Sequence, residues 1–144
     1  MTVKSLLTAI YNRLTQDSGL IALMGAIPRV YAVWAEPDAL FPYIVTRIDF
    51  TGWVADYSPL RNGKYLVDLW SYSVNADEIL AIRKEVLRLL NGYKFSTTEV
   101  DDARLWLQTD AFVPESTQGI WHYAMQFNIW SRGTDTNGRP LHDD

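Results

Sequence analysis

The stretch from Lys64 to Asn91, KYLVDLWSYSVNADEILAIRKEVLRLLN, changes its apolar period halfway and so decides the fold class. In its first half Tyr65, Val67 and Leu69 alternate with Leu66, Asp68 and Trp70. That is the period of a β-strand with two distinct faces. In its second half Ile79, Ile82, Val86, Leu89 and Leu90 recur at steps of three and four, a stripe along one side of a helix. Arg83, Lys84, Glu85 and Arg88 fall on the outer side. Asn75 is placed to cap this helix with Glu78 three residues on, as in a capping box, and Asn91-Gly92 supplies a stop. A strand that hands over to an amphipathic helix calls for helices packed on a sheet.

Upstream, Val3, Leu6, Leu7, Ile10, Tyr11 and Leu14 predict a helix from about residue 3 to 16, closing at Asp17-Ser18-Gly19. Leu20 to Met24 reads as a further short turn. Arg29 to Trp34 reads as a short strand, and Ala35 to Pro42, with two prolines, as an exposed loop. Tyr43 to Thr51 is a strand with Ile44, Ile48 and Phe50 on one face and Tyr43, Val45 and Arg47 on the other. A loop from Gly52 to Gly63, ending in a turn-like Asn62-Gly63, leads to the strand Lys64 to Tyr72. The pair forms a long antiparallel hairpin with a protruding tip.

Downstream, Arg104 to Val113 and Ile120 to Trp130 alternate as strands, joined by a turn from Pro114 to Gly119. In the last strand Trp121, Tyr123, Met125, Phe127 and Ile129 share one face, opposite His122, Gln126 and Asn128. Beyond Arg132 the periodicity stops, which predicts a flexible tail. The expected architecture is α+β: a mostly antiparallel sheet of about five strands with two helices on one face. Residues 1–132 form a single domain and residues 133–144 the tail.

Composition narrows function by exclusion. A chain of 144 residues carrying 48% apolar residues sustains a core without staples. Its formal charge of −4, with no basic cluster longer than two residues, leaves no footprint for sequence-specific nucleic-acid binding. The longest nearly uncharged stretch, Ser18 to Pro28, is too short to span a bilayer. The start reads as an amphipathic helix and not as a signal peptide, which suits synthesis in the cytoplasm. Without cysteine there is no thiol catalysis, disulfide or thiolate metal site. The eight glycines form no phosphate loop. His142 falls in the tail, and His122 lies mid-strand on the polar face. Glu99, Asp101 and Asp102 make a small acidic patch that reads as a solvated loop. The residues point to no catalytic group, metal or cofactor.

Aromatic residues are the unusual feature, at 13% with six Trp and eight Tyr. Such residues fill cores and also anchor protein contacts. Trp53 and Tyr57, flanked by Asp56 and Arg61, fall at the hairpin tip, where they either dock to another surface or fold back as a lid. Trp121 and Trp130 lie on opposite faces of the last strand. With helices on one side only, aromatics on the other side need a partner, which argues for an oligomer.

Arg29-Val30-Tyr31, then Phe41-Pro42-Tyr43-Ile44-Val45, then Val67-Asp68-Leu69-Trp70-Ser71 and the helix from Glu78 to Leu90 follow a familiar order. In that order and spacing the chain, over roughly residues 3 to 130, resembles the tail-completion or tail-terminator proteins of long-tailed bacteriophages. The resemblance implies a virion protein forming a ring, usually of six copies, at the head-proximal end of the tail tube. Its partners would be copies of itself, the tail tube protein and the head or neck connector proteins, with no cofactor and no catalysis. A head-closure or neck adaptor, or another minor tail protein, is the alternative. A small ligand-binding or enzymatic domain is a third reading, with His122, Gln126 and Asn128 its only candidate cluster.

Overall fold

The period-two stretch becomes the centre of a sheet, and the period-three-to-four stretch becomes the helix that covers it. The structure, a computed structural model, describes residues 2–25, 28–53, 60–97, 100 and 102–132. In chain order the elements are α1 (Thr2–Thr15), α2 (Ser18–Met24), β1 (Val30–Ala32), β2 (Tyr43–Trp53), β3 (Leu60–Tyr72), α3 (Asp77–Leu90), β4 (Lys94–Phe95), β5 (Asp102–Val113) and β6 (Ile120–Arg132). The strands form one sheet in the order β1-β2-β3-β6-β5-β4, antiparallel except for the parallel pair β1 and β2.

One face of this sheet carries the core. Tyr65, Val67 and Leu69 of β3 and Tyr123, Met125, Phe127 and Ile129 of β6 cluster with the α3 stripe Ile79, Ile82, Val86, Leu89 and Leu90. Leu6, Ile10 and Leu14 of α1 complete the layer. Burying a side chain of this size is worth about 1.5–3 kcal/mol, so this layer dominates stability.

Among the described residues there are three helices and six strands where the sequence suggested two and about five. The short turn expected at Leu20 to Met24 is a full helix, α2. Asp17 does not end α1; its side chain accepts a hydrogen bond from Leu20 N at 3.0 Å and caps α2. Gly19 therefore lies inside α2, where a Cβ would meet Glu85 Oε2 at 3.0 Å. The glycine allows close approach to α3, and Arg88, held by Glu85 of its own helix at 2.7 Å, ties α3 to the α2 cap through Asp17 at 2.6 Å. The extra strand, β4, is only two residues long, too short for any periodicity to reveal.

Other expectations shift in detail. The capping box does not form: Asn75 accepts from Asp77 N, while Glu78 accepts from the Ser71 hydroxyl at 2.6 Å. The loop expected from Gly52 to Gly63 shrinks, because β2 runs on to Trp53 and β3 starts at Leu60. Asn62 and Gly63 lie in the ladder opposite Trp130 and Ile129. β6 offers a pairing partner along the whole of Leu60–Tyr72, which overrides their turn preference. The segment 133–144 expected as a tail lies outside the described residues, as do Tyr57, Glu99 and Asp101.

Candidate functional site

All three helices lie against one face of the sheet, so the alternating side chains on the opposite face form an open surface. Strand pairing arranges them in rows. The first row places Tyr43 beside Trp70 and Trp70 beside His122. Trp70 stacks on the His122 ring at 3.9 Å and lies near parallel to Tyr43 at 6.0 Å, while Tyr31 of β1 meets Tyr43 edge-on. Aromatic pairs in these geometries gain about 0.5–1.5 kcal/mol beyond burial.

His122 ends this row between two carboxylates. Its Nε2 is 2.6 Å from Asp68 Oδ1 and its Nδ1 is 3.1 Å from Glu115 Oε1. Burial works against the charged imidazole, but the bonds to Asp68 and Glu115 more than offset it, and the pKa is raised. When protonated, the ring clamps the β5–β6 turn to β3 through both acids.

The next row is small. Ala124 lies between Asp68 and Ala111, and a groove of about 340 Å³ opens beside it, bordered by Arg47, Leu66, Thr109 and Gln126. His122, Gln126 and Asn128 do not converge here. Gln126 donates to Gln108 at 2.7 Å, and His122 is committed to its two acids.

Of the other singled-out residues, Trp130 is on the open face, with the Arg104 guanidinium 5.5 Å from its ring. Trp121 is on the helix-covered face, packs against the core and donates its indole N–H to Ser73 O at 3.1 Å. Trp53 and Arg61 are partners at the far end of the β2–β3 ladder. Asp102 bonds Arg104 of its own strand at 3.0 Å. Arg83 does not sit on a solvated helix face; it bonds Asp110 (2.7 Å) and the Tyr123 hydroxyl (2.9 Å). A bulge between Leu107 and Thr109 shifts the register of β5 and turns Asp110 toward α3.

Sequence reasoning missed the point where β1 leaves the edge of the sheet, level with Thr46 of β2. There the amide of Trp34 donates to Ala32 O at 2.9 Å across Val33, whose φ is +71°. This γ-turn is strained for a β-branched residue, at a cost of about 1–3 kcal/mol. Trp34 emerges from it 80% exposed. The residue types gave no signal; only the turn geometry shows it.

The sequence matches the family described as Tail completion protein gp17 over residues 8–132. A chain in the solved virion of a native gene transfer agent (GTA) particle is similar in structure, with a TM-score of 0.77. It is 16% identical, and the match covers 91% of this chain and 97% of that one, which shows a shared fold. No curated protein sequence matches.

Proposed function

The chain belongs to the tail completion protein gp17 family, and from that premise we propose that it terminates a phage-type tail as a ring of identical subunits and forms the joint to the head. It is a structural protein of the virion. The ring, its expected six copies, and its contacts with the tail tube protein and the head or neck connectors are the proposed part.

One observation carries the ring reading: the sheet has two different free edges on opposite sides. β1 pairs with β2 only over Ile44 to Thr46, so among the described residues β2 has no strand partner on that side from Arg47 to Trp53. β4 pairs with β5 only at Ala103 and Arg104, and the Asn91 side chain takes the amide of Leu107. From Gln108 to Val113 no described strand lines that edge. Unpaired edges of this length template pairing with another chain. Two unlike edges favour a head-to-tail contact, the kind that builds a ring when its rotation closes.

The absence of cysteine makes the test clean. Arg47→Cys or Asp49→Cys on β2 is combined with Thr109→Cys or Ala111→Cys on β5 and oxidised. Three strand spacings separate the sites within one chain, roughly 14 Å, too far for an internal disulfide. The expected result is a ladder of linked multimers on a denaturing gel, ending at the ring's copy number. Monomer in all four combinations overturns edge pairing, and electron microscopy with tail tubes then tests the position on the tail.

A further inference from the structure

We infer that the end of the sheet where the β1–β2, β3–α3 and β5–β6 connections meet docks a different protein, one offering an apolar pocket rimmed by Lys or Arg. The inference rests on the proposed reading that this chain joins other virion proteins, and it names where one of them sits.

Three connections are locked together at this end. Ser73 N donates to Gly119 O at 2.8 Å, and the Trp121 indole donates to Ser73 O. The Phe41 and Tyr72 rings lie 6.0 Å apart. Onto this base the chain exposes Leu40 (68%), Tyr72 (62%) and Val74 (97%). Single exposed apolar residues need no explanation, but three large ones at one end mark an interaction surface.

These side chains sit on fixed backbone. The Arg29 guanidinium donates to the carbonyls of Leu40 (2.8 Å), Pro42 (3.2 Å) and Phe41 (3.0 Å) and so anchors the β1–β2 loop. Anchors ordered before binding lose little entropy on docking, which is how a few aromatics come to dominate an interface.

Charge identifies the partner's chemistry. The connections at this end carry Glu36, Asp38, Asp77, Glu78 and Glu115, while the Arg29 guanidinium is spent on the carbonyls of Leu40, Phe41 and Pro42 and His122 is paired with Asp68 and Glu115, which leaves an excess of acid. The cations Lys64, Arg104 and Arg132 pair in register toward the opposite end of the sheet. Two copies meeting through this end would set acid against acid, so the complement is a basic-rimmed surface on another protein.

The test uses the full chain in cells that make the particles. A photoreactive phenylalanine derivative replaces Leu40 or, separately, Val74, and the cells are irradiated before particles are purified. The expected result is one product with a different protein, mapped by mass spectrometry to a surface bordered by Lys or Arg. Reversing the rim with Glu36→Lys and Asp38→Lys, both in the exposed loop, should cut that product about tenfold. Products with a second copy alone, no product, or a yield unmoved by charge reversal each overturn the inference. The disulfide ladder is read separately: a ladder without this product sinks the docking surface alone, and the product without a ladder sinks the ring alone.

Discussion

On one face of β3, β5 and β6 the rings of Tyr65 and Phe127 and the side chain of Leu105 are fully buried; on the other face of the same strands Trp70, Trp106 and Trp130 are not. Both faces are rich in large apolar groups, so hydrophobicity alone does not decide which one becomes the core. The helices decide it: their apolar stripes cover one face, and the open-face aromatics settle against one another, against His122 and under Arg104. Stability is thus concentrated on the covered face. No described helix covers the open face.

The largest expected effect breaks this comparison outright if it fails. Phe127→Ala removes a fully buried ring from the centre of the core and should cost about 3–5 kcal/mol in denaturant unfolding. Trp106→Ala removes a larger ring that is 43% exposed on the open face and should cost under about 1 kcal/mol. Equal costs would mean that the two faces share the work of folding.

Much of this division was legible in the sequence. The parity of Tyr65, Val67 and Leu69 and of Tyr123 through Ile129 assigned both strands' faces correctly, because a half-buried strand shows its pattern directly. The α3 stripe was equally plain. What stayed hidden depended on partners far along the chain. Nothing in the one-dimensional pattern sets Tyr43, Trp70 and His122 side by side, since that needs the register of three strands. Asp110 faces α3 only because of the bulge before it, which has no residue signature. The γ-turn at Val33 runs against the preference of its own residue.

A middle-sized effect sharpens the comparison, because it sits on the covered face yet is polar. Burial raises the pKa of Asp110, but the Tyr123 hydroxyl, at 2.6 Å, and Arg83 outweigh that and hold it below the usual carboxylate value. Asp110→Asn leaves Arg83 and Tyr123 partly buried without a charged acceptor, and should cost about 1–3 kcal/mol. The loss should appear in unfolding curves at neutral pH and fade in acid, where the wild-type carboxylate is itself protonated. A cost near zero would make apolar burial alone the covered face's advantage.

The smallest effect belongs to the open face and is best read through pH. Asp68 from β3 and Glu115 from the β5–β6 turn face His122, Trp70 stacks on it, and the phenol of Tyr43, next along the row, titrates above its usual range through burial and the charge on Glu115. Because the folded pKa of His122 is raised, its clamp contributes fully below the ordinary histidine value of about 6.5 and is lost as pH climbs through the folded value. His122→Gln keeps a polar side chain without the charge. Wild type should exceed this variant by up to about 1 kcal/mol near pH 6, the range of partly exposed ion pairs, and the gap should close toward pH 9. A gap that does not change with pH would assign His122 to packing against Trp70 and not to charge. Phe127→Ala should show no such closing gap, because no titrating group enters its cost, so the same pH series separates the two faces a second time.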